Sequence, residues 1–244
     1  MIENTILCVK WGDKYDSSFV EKLKEQIKKN CSIPFNFYCL TDKPEKEYDI
    51  QLPTYWDEYY NPNTNRFWAY RKCYMFNMKK NFPQVEGTKY LYLDLDVLIH
   101  QDLKCFFDLP MFYKPYIVRG WWNDAKNCRK NFGKMTSTPL NSSVIRWDKG
   151  QLEEVWKHIE KNKEVIFFTY PTIDNYFNHF WYNIWDEDES YFMGYPKGWI
   201  YSWYKGNIFE EDMELKKLRP DHKICLFNNS ASDNYDANEI KKLW

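Results

Sequence analysis

The first forty residues already commit the chain to a parallel sheet. Thr5-Ile6-Leu7-Cys8-Val9 is a short apolar run with β-branched residues, the pattern of a buried strand. Ser17 and Ser18 are suited to cap a helix, and Phe19, Leu23 and Ile27 follow at i, i+4 and i+8 as its apolar stripe. Asn30 and Ser32-Ile33-Pro34 stop that helix. Phe35–Leu40 is the next strand, closed by the polar turn Thr41-Asp42-Lys43-Pro44. Strand, helix and strand joined this tightly form a crossover unit, whose two strands lie parallel in one sheet.

The alternation continues. Phe67–Met78 has helical periodicity, with Tyr70, Tyr74 and Met78 on one side, and Pro83 and Gly87 break the chain before the strand Lys89–Leu93. A strand near Ser143–Arg146, helices over Gln151–Asn162 and Ile173–Phe180, a strand over Lys223–Phe227 and a short helix over Asn238–Leu243 follow. No Gly/Ser-rich linker or fixed-period repeat interrupts them. Residues 1–244 therefore read as a single α/β domain, a mixed sheet with helices on both faces.

Composition removes several classes of function. Lys and Arg number 34 against 35 Asp and Glu, for a net charge of −1 and a pI near 6.5. This balance lacks the cationic excess of a protein built to hold nucleic acid or an anionic membrane, so nucleic acid is not an expected partner. No apolar run approaches the ~18–20 residues that span a bilayer, and the mean hydropathy is −0.75. The segment MIENTILCVKWGDKY has no basic start, long apolar stretch or small-residue cleavage site, so neither a signal peptide nor a transmembrane segment is expected. The seven cysteines are scattered and never spaced C-x-x-C, which argues against a disulfide framework or zinc site and for a reducing, cytoplasmic location. Aromatic residues make up 20% of the chain. Codon bias of an AT-rich genome and stacking on sugar rings both account for that excess.

The most informative stretch is YLYLDLDVLIH, Tyr90 to His100. In extended conformation Asp94 and Asp96 share a face while Leu95 points into the core. Two neighbouring carboxylates repel unless a cation or hydrogen-bond donors stand between them, and hard oxygen ligands suit Mg²⁺ or Mn²⁺ better than zinc. The pair also follows a strand, where open α/β sheets bind ligands. The competing structural reading is a turn at a strand end with two exposed carboxylates. His100, His158 and His179 have no metal-ligand spacing, and His222, ahead of the last strand, is expected at the surface. Trp121-Trp122 reads either as core or as an acceptor-side sugar platform.

With VKWGDKY at Val9–Tyr15, YCLTD at Tyr38–Asp42, FWAYRKCYMF at Phe67–Phe76, YLDLDVLI at Tyr92–Ile99 and LNSSVIRW at Leu140–Trp147, the sequence resembles small nucleotide-sugar glycosyltransferases of the GT-A fold. The similarity is to glycogenin-like families and to small enzymes of phages and large viruses. The resemblance implies a single Rossmann-like GT-A domain whose first hundred residues bind the nucleotide and whose remainder faces the acceptor. It implies that Val9, Lys10, Trp11, Tyr15, Thr41 and Asp42 hold the nucleotide of a UDP-linked donor, and that Arg71 and Lys72 approach the diphosphate or donor sugar. Asp94 would touch ribose and metal, Asp96 would bind the metal more fully, and Asn141 and Ser142 would line the sugar pocket. Asp174 would stand at the reacting carbon, and Lys205 would meet the diphosphate. The cofactor implied is Mn²⁺ or Mg²⁺; the acceptor is a hydroxyl of a glycan, a protein or another molecule.

Two departures qualify the resemblance. The last strand runs into Asn228-Asn229-Ser230, not into the histidine that serves glycogenin-like families as third metal ligand, which leaves Asn228 as the candidate there. Asp174 is followed by Asn175, where the family carries a D-Q or Q-D pair. Two alternatives stand beside the transferase. One is a haloacid dehalogenase-like phosphatase using the same D-x-D, although Leu98 replaces the usual Thr or Val and the motif lies far from the first strand. The other is a non-catalytic carbohydrate-binding protein.

Overall fold

A computed structural model describes residues 2–59, 68–110, 113–119, 140–181, 189–206 and 213–227. The opening unit is as the sequence dictates: strand β1 (Asn4–Lys10), helix α1 (Ser17–Lys29) and strand β2 (Asn36–Thr41), with β1 and β2 parallel. The cap of α1 is Asp16, one residue before the expected serines; its carboxylate accepts from Ser18 N at 2.9 Å. An anion there satisfies an orphan amide and complements the helix dipole, which a neutral serine does less well. Phe19, Val20, Leu23 and Ile27 form the buried stripe.

Strands β3 (Asp49–Gln51) and β4 (Lys89–Leu93) extend the sheet on either side, and β5 (Val97–Ile99) follows β4 after a turn. Strands β6 (Tyr116–Arg119), β7 (Leu140–Asp148) and β8 (Met193–Gly194) complete a seven-stranded sheet of order β3-β2-β1-β4-β7-β6-β8. Strand β7 is antiparallel to both neighbours, so the sheet is mixed. Strand β5 leaves it and joins β9 (Ile200–Ser202) and β10 (Ile224–Leu226) in a second, three-stranded sheet of order β5-β10-β9.

Alternation along the strands sorts the core into two faces. Leu7, Tyr90, Tyr92, Ile145 and Trp147 face one apolar cluster; Ile6, Cys8, Leu91, Leu93 and Val144 face the other, with the stripe of α1 and Phe106 and Phe107 of the short helix α3 (Lys104–Phe107). The first cluster is covered by α2 (Met78–Asn81) with the 3₁₀ segment before it, by α4 (Glu153–Thr169) and by α5 (Ile173–Phe180). Much of the aromatic excess is spent here. Trp56 stacks between Tyr74 and Trp156, at 4.5 and 4.8 Å between ring centroids.

Several elements differ from the sequence reading. The segment Trp68–Asn77 is a 3₁₀ helix and not an α-helix. Tyr70, Arg71, Cys73, Tyr74, Met75 and Phe76 are all buried, so this segment is enclosed on several sides and a one-sided helical stripe does not describe it. Strand β7 starts three residues before the expected Ser143, because the polar Asn141 sits in register with Val118 of β6. Helix α4 continues past Asn162, which bends it (φ −121°, ψ 18°) and donates its side-chain amide to His158 O at 2.9 Å. His222 is buried, at 2% exposure, against Tyr201 of β9 and not at the surface. The expected Asn238–Leu243 helix and Trp121-Trp122 lie outside the described residues. Among those described, no helix is long and apolar enough to cross a membrane.

Gly87 marks the tightest approach at the start of β4. Its φ is +113°, and an added Cβ would lie 2.3 Å from Thr5 Oγ1 and 2.9 Å from Glu3 O. We expect Gly87→Ala to destabilise the fold by roughly 1–3 kcal/mol, read as a lowered denaturation midpoint. An unchanged midpoint would contradict this backbone packing.

Candidate active site

Parallel strands β1, β2 and β4 end at one edge of the sheet, and β7, running the other way, begins there. Lys10 pairs with Thr41 at this edge, and Leu93 pairs with Val144. Residues just past β1, β2 and β4 therefore meet those at the start of β7, the position at which open α/β sheets bind ligands.

The aspartates lie where the chain changes sheets. Strand β4 stops at Leu93, Leu95 and Asp96 form a turn, and β5 pairs with β10 in the small sheet. One continuous strand cannot serve both sheets, which is why the extended geometry expected for Asp94–Asp96 gives way to a turn. Leu95 is still buried, at 2% exposure. Asp94 N donates to Ser143 O at 2.8 Å, tying the turn to β7, and Phe227 N donates to Asp96 O at 3.2 Å, bringing the end of β10 to the same place.

Lys72 reaches across this edge. Its Nζ is 2.7 Å from Asp94 Oδ1 and 3.4 Å from both Ser142 O and Ser142 Oγ. Asp94 also accepts from the Tyr92 hydroxyl, and Asp96 from Tyr15 Oη at 3.0 Å. At the first turn of α5, Asp174 accepts from Ser142 N at 3.0 Å and from Asn141 Nδ2 at 3.3 Å. Sequence reasoning thus named Asp94, Asp96, Lys72, Asn141, Ser142, Tyr15 and Asp174, and the fold brings them together. It missed Tyr92 and the Ser143 carbonyl. Tyr92 reads only as an inward strand residue, and a backbone acceptor leaves no trace in sequence.

The nucleotide candidates follow β1 and β2. Asp42 Oδ2 accepts from Gly12 N at 3.2 Å, and buried Thr41 accepts from Lys43 N at 3.2 Å. Lys10 and Thr41 line a shallow surface cleft together with Ser17, Lys43 and Tyr48. Val9 and Trp11 pack against the aromatic core. The Arg71 guanidinium lies 3.5 Å from the centroid of the Trp11 ring and 2.7 Å from Asp57 Oδ1. A 3₁₀ turn superimposes residues three apart, so Arg71 follows Tyr74 toward Trp56 and Asp57 while Lys72 takes the next sector. Lys205 is half-buried in the turn after β9, and burial lowers its pKa. Asn228 lies outside the described residues.

The electrostatics follow from three neighbouring carboxylates. Burial and the charge of Asp94 raise the Asp96 pKa above its usual 3.8, while Lys14, Tyr15 and Lys72 pull it back. Burial likewise raises Asp174, against the influence of Lys72 and the Ser142 bonds. A carboxyl with a raised folded-state pKa binds more protons folded than unfolded as pH falls through that value. Its penalty is thus complete at neutral pH and is relieved on acidification toward 3.8. In metal-free protein we expect Asp96→Asn to raise the melting temperature at neutral pH by a few degrees, on the order of 1 kcal/mol. The gain should shrink as pH falls. A gain independent of pH between 4 and 7 would contradict the assignment, those limits being roughly the carboxylate range and neutrality.

No protein-family model and no curated protein sequence matches the chain. Solved structures do match its fold. Galactosyltransferase LgtC, in complex with donor and acceptor sugar analogues, aligns at a TM-score of 0.62 and 12% identity over 98% of this chain and 94% of its own. A glycosyltransferase involved in glycosylation of the major capsid of PBCV-1 aligns at 0.56 and 17% identity, over 97% and 98% of the two chains. Mouse xyloside xylosyltransferase 1 aligns at 0.55 and 10%, over 93% and 98%. These likenesses span nearly the whole of each chain. The chain has the Rossmann-like GT-A fold expected from its sequence.

Proposed function

We propose that the protein is a glycosyltransferase that moves a sugar from a UDP-linked donor to a hydroxyl of a glycan, protein or other acceptor, with Mn²⁺ or Mg²⁺ at Asp94 and Asp96. The observation that carries this reading is the convergence of Asp94, Asp96, Lys72, Ser142 and Asp174 on the strand-end edge of a GT-A fold. Free cysteines, among them Cys8, Cys39, Cys73 and Cys225, fit a cytoplasmic location.

The donor set fits a hard divalent ion. Asp94 and Asp96 supply carboxylate oxygens; Asp96 is raised first by burial and then by the charge of Asp94, and a dication would offset the second of these. Among the described residues no group of three or more His, Cys, Asp or Glu side chains is placed to hold a metal. The remaining ligands in this reading are Asn228 and the oxygens of the diphosphate. When bound, the ion neutralises charge that builds on the departing diphosphate.

The chain's own residues divide the remaining work. Val9, Lys10, Trp11, Tyr15, Thr41 and Asp42 hold the nucleoside, and Lys205 faces the diphosphate. Lys72 orients Asp94 through its 2.7 Å contact. Asn141 and Ser142 border the donor sugar and aim Asp174, whose two oxygens they hold separately. As the anomeric C–O bond breaks, positive charge grows on the sugar, and a carboxylate fixed beside it stabilises that charge. Its raised pKa also makes Asp174 a stronger base toward an acceptor hydroxyl than an ordinary aspartate.

The test is incubation with a panel of UDP-, GDP- and CMP-sugars and Mn²⁺, with free nucleotide and sugar measured by mass spectrometry. Slow hydrolysis of at least one UDP-sugar, abolished by chelation, is the expected result. Phosphomonoester hydrolysis with every nucleotide sugar untouched would replace the transferase by a phosphatase.

A further inference from the structure

We infer that Arg71 is a positioning residue that braces the loop after β1 for nucleotide binding, acting through Trp11; this rests on the donor reading above. The Arg71 side chain is 1% exposed, while that of its ion-pair partner Asp57 is 39% exposed. A buried guanidinium forfeits its hydration, so the contacts it makes in the fold carry more weight than they would in water. What the charge does achieve is a stack on an indole at 3.5 Å, and this attraction strengthens when the cation is desolvated.

The stack is continuous with the site. Trp11 is followed by Gly12, whose φ of +66° turns the chain so that its N–H reaches Asp42 Oδ2 at 3.2 Å. Four residues after Trp11, Tyr15 reaches Asp96. Fixing the indole therefore fixes the loop that links Asp42 to Asp96. Lys72, the next residue of the same 3₁₀ turn, fixes Asp94. A rise of one residue with a 120° rotation separates the two cations, so one turn orders both the nucleotide loop and the carboxylate edge. The chain Asp57–Arg71–Trp11–Gly12–Asp42 is a brace that a hydrophobic residue at position 71 could not supply.

The test combines UDP calorimetry in Mn²⁺ with amide exchange at Gly12. Arg71→Met and Trp11→Leu should each weaken UDP about tenfold, and the double variant should be little weaker than the worse single, because both remove one interaction. Asp57→Asn, which leaves the core filled, should weaken UDP several-fold even if Arg71→Met folds poorly. Arg71→Lys should recover part of the affinity. Exchange of the Gly12 amide should accelerate in Arg71→Met, and for donor hydrolysis KM should rise more than kcat falls. Full UDP affinity in Arg71→Met and Asp57→Asn, or additive losses in the double variant, would overturn the brace while leaving the donor reading intact. Wild-type protein that binds no UDP would overturn the donor reading itself, and this proposal with it.

Discussion

Asp96→Asn should reduce metal-dependent transfer by roughly 10²–10⁴-fold, about 3–5 kcal/mol of transition-state stabilisation. The substitution keeps the side chain's shape and its hydrogen-bonding partner Tyr15, and removes only the charge. Because burial and, after it, the charge of Asp94 both disfavour the ionised Asp96, the variant should fold at least as well as the parent. Loss of activity with a raised melting temperature is thus the signature of a residue kept for binding an ion and not for stability. Unchanged turnover would place the metal elsewhere.

Asp174→Ala should be as damaging by a different route. Transfer should fall by at least about 10³-fold, while UDP affinity stays within a few-fold, since the carboxylate acts on charge that appears only in the transition state. Its hydrogen bonds run to Ser142 and Asn141, on the side of the edge away from Asp42. Collapse of UDP binding with transfer preserved would reverse that placement. The two variants separate the roles of the carboxylates: Asp96 links nucleotide and metal, and Asp174 serves the sugar.

Much of this site is legible in the sequence. Asp94 and Asp96 are polar residues wedged into an apolar run, where their cost demands a reason, and the apolar stripe of α1 follows a period that sequence displays directly. The 3₁₀ segment was not legible, because Tyr70, Cys73, Tyr74 and Phe76 fit both helical periods and only enclosure by α4 and α5 decides between them. The start of β7 is hidden in the sequence because Asn141 and Ser142 look like loop residues, although a strand start at a binding edge is where polar residues belong. The burial of His222 is not visible in the sequence, since nothing local reveals that Tyr201 covers it. Arg71 and Lys72 illustrate the same limit: adjacent cations look equivalent in sequence, and the tight turn sends one to Trp11 and the other to Asp94.

The central claim is that Asp94 and Asp96 form a cation site completed by a nucleotide diphosphate, and titration calorimetry of Mn²⁺ with and without UDP tests it most directly. With two carboxylates and one neutral amide oxygen, Asn228, as the protein ligands in this reading, Mn²⁺ should bind weakly alone and at least about tenfold more tightly with UDP. UDP affinity should rise by the same factor when Mn²⁺ is present, as thermodynamic linkage requires. In Asp96→Asn the coupling should vanish. Tight Mn²⁺ binding that is indifferent to UDP, or coupling that survives Asp96→Asn, would contradict the account.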